Sequence, residues 1–423
     1  MLAHSIVALY GLLPVMVFSS YSLLSGAFYV LTTLALVLIC KTRATCILET
    51  TQKYRWLIIS YSILFLAIAI SSLFHGTWAG ANSEGALRFF IGLWILMSAL
   101  PLIDEKLLQH GLWGIYAATV VSTLVLLWLI FQRGPRPLTP GVILTTYSSI
   151  MLLLGAICVY SLKWKLTKYY RFEVTLKVLL ALVAVVGFLA SQTRTGLLGL
   201  PLFVAIALML FLGVRRPGRA IVWFFLLGAL IAIAIAVNDG LSDRITQGLD
   251  EIKTCMGENR TAHSSMCIRL QLWRTALEAG SSNPWIGLGD GGNFSQYVKD
   301  VAIPKGLAAP YILEEHFGEP HNDLLLMYVG FGIPGTLGLI LIYLAPCVYL
   351  GPRLWAQDIA PQKRAAAAMG LAFCLGFLLF GLTETMFRRM NTIGLYTAMV
   401  AFFLIMSEPA LPKQKSCSIS RIP

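Results

Sequence analysis

The sequence predicts an all-α polytopic membrane protein. Of its 423 residues, 57% are hydrophobic and only 12% are charged, and the mean hydropathy is +0.76. A soluble domain carries about 25% charged residues, so lipid must replace water around most of this chain. The first apolar stretch has no basic leader, and further apolar runs follow it directly. We therefore do not expect a cleavable signal peptide.

Runs of about 20 apolar residues are long enough to cross a bilayer as helices. About twelve such runs are present, and eleven is the competing count because the break near Ser19 is weak. The predicted spans are 4–18, 20–40, 56–74, 85–103, 110–131, 141–162, 174–192, 196–214, 219–237, 322–350, 365–386 and 390–408. They divide the chain into nine spans, one large partly helical loop, three spans and a polar tail, over 1–237, 238–320, 321–408 and 409–423.

The net charge of +12 would suggest a nucleic-acid partner in a soluble protein. In a membrane protein, however, Lys and Arg concentrate in the short cytoplasmic loops. Most Lys and Arg of the short loops here lie on the side that holds both termini. We therefore expect both termini in the cytoplasm of a bacterium, the 238–320 loop on the periplasmic face of its inner membrane, and no nucleic-acid partner.

Eight cysteines are present, without a CxxC pair or a Cys/His spacing suited to zinc. Cys255 and Cys267 both fall in the 238–320 loop. If that loop faces an oxidising compartment, the two thiols can form a local disulfide. The sequence leaves open whether they do.

Several arginines lie at the predicted outer border, where the topology rule does not explain them. Such ionisable residues are costly and usually have a partner or a function. For Arg88, Arg133 and Arg389 the alternative is that the side chain extends to the lipid headgroups. The whole set is Arg88, Arg133, Arg136, Arg194, Arg388 and Arg389.

Arg194 lies in the polar turn Ser191-Gln192-Thr193-Arg194-Thr195-Gly196, between two strongly apolar spans. A guanidinium held at this depth can form paired hydrogen bonds with a phosphate. The alternative is an ion pair with a carboxylate such as Glu384. Arg194 is therefore a candidate anion-binding residue.

The 238–320 loop carries two helix-like stretches, 242–254 and 264–279, and the second contains Arg269 and Arg274. Residues five apart point about 140° apart around a helix, so the two arginines cannot easily hold one ligand. We select Arg269, because it begins an Arg-x10-Gly pattern that ends at Gly280, and expect Arg274 to be solvated.

The loop returns to the membrane at Pro320-His321-Asn322-Asp323. Proline suits a helix start, which places His321 in the first turn. A neutral histidine beside a bound diphosphate can act as a general base, and Asp323 could orient its ring. The alternative for His321 is a polar cap. Upstream, the glycine-rich run 287–293 is either a phosphate cradle or a plain turn.

Together these motifs resemble the O-antigen ligase and polymerase superfamily. The resemblance rests on Thr193-Arg194-Thr195-Gly196, on Arg269 with Gly280, on Asn283-Pro284-Trp285-Ile286-Gly287-Leu288-Gly289, and on Pro320-His321-Asn322-Asp323. Their order and the large loop also agree, so the similarity spans about residues 175–400. The amino-terminal half is similar only in hydropathy.

The resemblance implies a metal-independent, inverting glycosyltransferase with a GT-C-like membrane fold and no cofactor. Such an O-antigen ligase moves a glycan from undecaprenyl diphosphate to a sugar hydroxyl of lipid A-core. Its partners would be this lipid-linked donor, the lipid A-core acceptor and membrane lipid. Arg194 and Arg269 would bind the diphosphate and His321 would be the catalytic base. Supporting candidates are Gln192, Asp323, Glu384 and Arg388.

Three alternatives remain open. An O-antigen polymerase shares the outward arginines and the diphosphate donor, and a protein O-oligosaccharyltransferase uses the same donor. The His-Asn-Asp start favours the ligase. A lipid-linked glycan transporter is the alternative outside enzymes. It would need charges deep along a pathway, whereas the predicted spans are nearly free of charge.

Overall fold

The computed structural model describes residues 1–20, 22–42, 46–76, 81–213, 217–257, 259–289 and 292–409. Within these ranges every regular element is a helix and there is no strand. The all-α prediction is therefore confirmed.

The helices fall into three groups along the chain. Before the loop are α1 Leu2–Met16, α2 Leu23–Thr42, α3 Cys46–Lys53, α4 Arg55–His75, α5 Ala81–Leu87, α6 Leu93–Ala99, α7 Glu105–Leu108, α8 Leu112–Arg133, α9 Leu144–Tyr160, α10 Tyr170–Ala190, α11 Gly199–Leu212 and α12 Pro217–Ala236. In the loop are α13 Asp239–Met256, α14 Ser265–Ser282, α15 Gly292–Tyr297 and α16 Tyr311–Glu314. After it come α17 Asp323–Trp355, α18 Pro361–Gly381 and α19 Met390–Met406.

Among the described residues, ten helices are long and apolar enough to cross a membrane. They are Leu23–Thr42, Arg55–His75, Asn82–Leu102, Glu105–Arg133, Leu144–Lys163, Tyr170–Ala190, Thr195–Leu212, Gly218–Ala236, Asp323–Trp355 and Pro361–Gly381. The helices α1 and α19 are apolar but shorter. Each of the twelve predicted spans corresponds to one of these helices, so the chain is a polytopic membrane protein.

The centre of the bundle is formed by α9, α17, α18 and α19. The last of these is almost completely buried, although it is short. In α18 the run from Ala365 to Ala368 has no exposed surface, because small side chains allow neighbouring helices to approach closely. The helix α12 differs: its apolar residues are exposed along its length, as expected for a helix that borders lipid.

The 238–320 segment folds onto the bundle through α14 and α17. The helices α13 and α14 agree with the two predicted loop helices. Cys255 and Cys267 form a disulfide, with their Cα atoms 5.4 Å apart. A Cβ added to Gly280 would lie 2.3 Å from the ring of Tyr328, so glycine at this position is what allows α14 to lie against α17.

The glycine-rich run is a packing element in its described part. The amides of Leu288 and Gly289 donate to the carbonyls of Val329 and Gly330 at 2.7 and 2.9 Å. These bonds lie at the break in α17, where Gly332 has a φ of 64°. The two amides are therefore already used and cannot cradle a phosphate. Residues 290 and 291 of this run lie outside the described residues.

Candidate active site

Arg194 follows α10 in a tight turn and lies across α13. Its Nη1 donates to the carbonyl of Arg244 at 2.8 Å. A Cβ on Gly248 would lie only 1.8 Å from that nitrogen, so the guanidinium is seated against the bare backbone of α13. The preceding Gln192, at a φ of 51°, packs in the same way on Gly240. The two glycines of α13 therefore allow the side chains of Gln192 and Arg194 to lie directly against the backbone of that helix.

Four guanidiniums gather at this end of the bundle: those of Arg136, Arg194, Arg244 and Arg269. Burial lowers the pKa of Arg136, and the charges of Arg244 and Arg269 lower it further. Burial and then the charge of Arg244 lower the pKa of Arg194; Glu251 opposes this, and Arg269 and Arg136 lower the pKa by smaller amounts. We call this set the arginine cluster.

No member of the arginine cluster forms an ion pair with a carboxylate among the described residues. The alternative of an ion pair between Arg194 and Glu384 is therefore wrong. In addition, Nε of Arg244 is buried without a hydrogen-bond partner. Partly buried cations that form no ion pair are costly, so the cluster is chemically suited to an anion.

Arg194 and Arg269 line one cavity of about 310 Å³. Most of its remaining wall is apolar and comes from the start of α11, from α13 and from α14, including Leu197, Ile245, Leu249, Ile252 and Trp273. A second apolar groove of about 260 Å³ runs between α11 and α12 and shares Leu197 with the first. A ligand with an anionic head and a long apolar tail would fit this pair of spaces.

His321 lies just before α17, at a φ of 49°. Its Nδ1 is 3.2 Å from Oε1 of Glu384, a carboxyl that is only 2% exposed. The other oxygen of Glu384 accepts a hydrogen bond from Thr145 at 2.7 Å. Burial alone would raise the pKa of Glu384, but the hydrogen bonds from His321 and Thr145 and the charge of Arg269 lower it.

An ionised Glu384 fixes the tautomer of the neutral His321 imidazole. A carboxylate accepts only, so the proton of a neutral ring is assigned to Nδ1 and Nε2 is left as an acceptor. This is the arrangement of a general base held by a carboxylate partner.

Two contacts connect this histidine to the arginine helix. The indole nitrogen of Trp273, one turn after Arg269, donates to the carbonyl of Pro320 at 2.9 Å. The side chain of Asn322 caps α17 by accepting from Leu325 and donates to the carbonyl of Leu382 at 2.8 Å. The segments that carry Arg269, His321 and Glu384 are therefore pinned to one another.

The other supporting candidates have different partners from those expected. Asp323 is buried and accepts hydrogen bonds from the Tyr343 hydroxyl at 2.9 Å and the Phe387 amide at 3.1 Å. The hypothesis that it orients the His321 ring is thus wrong, because Glu384 has that contact. Arg388 is exposed and pairs with Glu319, not with Glu384.

His321 does not line the arginine cavity. It lines an adjoining polar cavity of about 530 Å³, together with Glu319, Arg388 and Arg389. Thr383 lines the arginine cavity, and the next residue, Glu384, contacts His321. The expected single site is therefore two cavities, and adjacent residues of the 383–384 segment contact one each.

Comparison with known proteins bears on this arrangement. Residues 178–340 match the O-antigen ligase family model. The match contains Arg194, Arg269 and His321, and it confirms the resemblance stated from the sequence over that range. An uncharacterized protein of Haemophilus influenzae (strain ATCC 51907 / DSM 11121 / KW20 / Rd) is 22% identical over 362 residues, which cover 84% of this chain and 88% of that protein. The O-antigen ligase match supports a general transferase role.

Within the O-antigen ligase match, sequence reasoning missed Arg244 and Gly248. They lie four residues apart on α13 and so share one helix face, which is the signal that could have found them. Thr145, which lies outside the match, was missed because its contact with Glu384 joins positions far apart in the chain.

For two arginines outside the arginine cluster, the alternative of headgroup contact (Arg88) and the expectation of solvation (Arg274) are wrong. Arg88 is 4% exposed and bonds Glu84 at 2.6 Å and the Met390 carbonyl at 3.1 Å, so it does not extend to headgroups. Arg274 is partly buried and donates to the Cys255 carbonyl at 3.3 Å, so it is not solvated. Both have structural partners.

In the part of the chain that the structure describes, one group of side chains has donor atoms close enough to hold a metal ion: Glu319, His321 and Glu384, within 4.8 Å of one another. Each carboxylate is already engaged, since Glu319 accepts from Thr385 and Arg388 and Glu384 accepts from Thr145. The expectation of metal independence stays a prediction.

Proposed function

We propose that the protein is an O-antigen ligase, which transfers a glycan from undecaprenyl diphosphate to a sugar hydroxyl of lipid A-core at the periplasmic face of the bacterial inner membrane. The observation that carries this proposal is the arginine cluster, which has no carboxylate partner among the described residues and lies beside the His321–Glu384 pair. The O-antigen ligase match supports the same reaction class.

The donor would occupy the arginine cavity and the groove beside it. Guanidiniums form paired hydrogen bonds with phosphate oxygens, so the Arg194 and Arg269 side chains would hold the diphosphate. The apolar groove between α11 and α12 would take the first part of the polyisoprenoid tail. Since α12 is exposed along its length, the tail could continue into the bilayer without crossing a polar barrier.

The acceptor hydroxyl would approach from the cavity of His321. Nε2 of His321 takes the hydroxyl proton as the oxygen forms its bond to the anomeric carbon. The bond from that carbon to the diphosphate oxygen breaks, and its electron pair leaves with undecaprenyl diphosphate. The arginine cluster stabilises the negative charge that develops on this oxygen, and Glu384 stabilises the imidazolium. Attack from the face opposite the leaving group inverts the anomeric centre.

Two features support a periplasmic loop. Disulfides persist in oxidising compartments such as the periplasm, and Cys255 and Cys267 form one in this segment. Among the short loops, most Lys and Arg lie on the side of the membrane opposite to this segment, as expected if that side is cytoplasmic.

The test is a reaction in detergent between purified undecaprenyl-diphosphate-linked O-antigen and lipid A-core. We expect transfer in the presence of EDTA, and we expect His321→Ala to lower the rate about 10²- to 10⁴-fold, the usual contribution of a general base, with donor binding retained. The exposed Arg133 provides the control: Arg133→Gln should transfer at the wild-type rate.

Three results would decide against the proposal. Full activity of His321→Ala would remove the base. A strict requirement for a divalent cation would contradict the metal-independent mechanism. Extension of a lipid-linked repeat unit, with no transfer to lipid A-core, would identify a polymerase instead.

A further inference from the structure

In the proposed reaction the polar cavity of His321 admits the acceptor hydroxyl, but it is larger than a hydroxyl requires. Its volume of about 530 Å³ lies within the usual range of small-molecule sites, roughly 300–1,000 Å³. Its wall comes from the 315–321 segment and from the turn before α19. Two residues of the wall, His316 and His321, have positive φ values of 59° and 49°, a strained backbone that is common at ligand sites.

The wall carries two carboxylates and two guanidiniums, and three of these four charged groups have a partner. The Glu315 carboxylate is paired with Nε2 of His263 at 2.5 Å, and Glu319 is paired with Arg388. Among the described residues, the Arg389 guanidinium forms no hydrogen bond or ion pair. It is also only partly exposed. Once the pairs are set aside, one positive charge remains on the cavity wall.

Arg388 and Arg389 are adjacent in sequence but differ in setting. Arg388 is exposed and forms an ion pair with Glu319. Arg389 is the residue before α19 and has an extended backbone, with φ of −100° and ψ of 126°. Both side chains line the cavity, but only that of Arg388 is neutralised by Glu319.

An aromatic ring completes the wall beside the histidine. The ring of Phe317 lies 6.0 Å from that of His321, at 70° to it. Phe317 offers an apolar surface in a cavity whose other side chains are polar or charged. A sugar ring has both an apolar face and polar edges, so this combination suits a sugar better than a purely apolar ligand.

We propose that this cavity holds the acceptor, and that Arg389 binds an anionic substituent, either a phosphate or a carboxylate, near the hydroxyl that is glycosylated. The inference rests on the proposed function, because a hydroxyl must lie beside His321 for the base to act. It goes further in naming the acceptor class: an anionic sugar rather than a neutral one. Arg389 is a specificity residue for that anion.

The experiment compares three lipid-linked disaccharide acceptors: one with a phosphate, one with a uronic acid carboxylate, and their neutral parent. With wild-type protein, an anionic acceptor should have the lowest KM. Arg389→Gln should raise the KM for that acceptor about tenfold, the loss expected for one charge-assisted hydrogen bond. The KM of the neutral acceptor and the KM of the donor should stay unchanged.

Two further variants sharpen the result. Arg389→Lys keeps the charge and should recover part of the preference, whereas Arg133→Gln, on an exposed arginine outside the cavity, should leave every KM as it is. The acceptor with the larger loss in Arg389→Gln tells phosphate from carboxylate. An equal change for charged and neutral acceptors, or a change in the donor KM, would overturn the proposal.

Binding without the donor separates this inference from the proposed function. The affinities of the phosphorylated and the neutral disaccharide are measured with the wild-type protein and Arg389→Gln. If binding of the phosphorylated sugar depends on Arg389 but no glycan is transferred, the ligase proposal fails and the anion site stands. If transfer occurs but Arg389 affects neither binding nor KM, the anion site fails and the ligase proposal stands.

Discussion

The cations at the two ends of α10 have opposite surroundings. Near its start, the Lys177 ammonium contacts the Glu173 carboxylate at 2.6 Å and the carbonyls of Ser161 and Trp164 at 2.7 and 2.6 Å. All three protons of the ammonium therefore have an acceptor. About 20 Å further along the helix axis, Arg194 faces other arginines, and no carboxylate of the described residues pairs with it.

The difference separates structure from function. A buried charge with complete hydrogen bonding needs no ligand, and breaking such a pair is strongly destabilising. A group of like charges in which none forms an ion pair is unfavourable in the free protein, and anion binding stabilises it. We therefore expect substitutions at the Lys177 end to change stability and substitutions in the arginine cluster to change donor binding.

The largest effect on donor binding should come from the arginine cluster. Arg194→Ala or Arg269→Ala is expected to weaken binding of undecaprenyl diphosphate about tenfold to a hundredfold, since each removes charge-assisted hydrogen bonds to phosphate. The unfolding temperature should not fall, because like charges have been removed. Lysine at either position should rescue poorly, because an ammonium lacks the planar fork of donors. Titration of the lipid and thermal unfolding in detergent provide both readouts.

Arg260 is a matched control for these variants. It lies in the same loop segment, between α13 and α14, and is exposed, so Arg260→Gln should bind the lipid as the wild type does. The comparison between the two ends of α10 breaks down if Arg194→Ala and Arg269→Ala both bind donor normally, or if either unfolds at a clearly lower temperature.

The next effect concerns the Lys177 end. Lys177→Met leaves the Glu173 carboxylate and the two carbonyls buried without their cation. The free energy of unfolding should fall by about 3–5 kcal/mol, the usual cost of breaking a buried pair. Denaturant unfolding in detergent measures this loss. The donor affinity of the folded fraction should be unchanged, because the site lies at the other end of the helix.

A second variant identifies the cause. Glu173 also accepts from the amides of Leu166 and Thr167 at 2.9 and 2.8 Å. In Lys177→Met with Glu173→Gln, the amide oxygen can keep those bonds without a buried charge, so much of the lost stability should return. Wild-type stability together with lost donor binding in Lys177→Met would mean that α10 transmits an effect between its ends.

The features that depend on local pattern could be predicted from the sequence. Runs of apolar residues gave the twelve spans, and period and polarity gave α13 and α14, because lipid and helix geometry act on neighbouring residues. Arg194 stood out because arginine at the outer border opposes the topology rule, and Arg269 because it begins the Arg-x10-Gly pattern. The two do line one cavity.

The remaining features depend on contacts between distant segments. Whether Asp323 or Glu384 holds His321 is decided by how α17 starts against the turn after α18, which no local pattern encodes. Lys177 falls in the predicted span 174–192, and the two carbonyls that complete its hydrogen bonding, those of Ser161 and Trp164, belong to the segment before α10. The division into two cavities likewise depends on where the 383–384 segment lies.

The smallest effect tests how the arginine cluster is held together. Arg244 lies on α13 and Arg269 on α14, and the Cys255–Cys267 disulfide joins the end of the first helix to the start of the second. Replacing both cysteines by serine should lower donor affinity only a few-fold, because the Met266 amide still donates to Glu251 at 3.0 Å across the same junction. Hydrogen exchange should become faster over residues 239–282, since a disulfide restricts the open states of its segment.

Cys40 offers the control, because it is a free and exposed cysteine far from this junction in the chain: Cys40→Ser should change neither measurement. Dithiothreitol added to the wild-type protein should reproduce the double serine variant, with no further effect on that variant itself. If reduction leaves exchange over 239–282 and donor affinity unchanged, the positions of Arg244 and Arg269 are fixed by helix packing alone. In that case the disulfide does not contribute to holding the arginine cluster together at the end of α10.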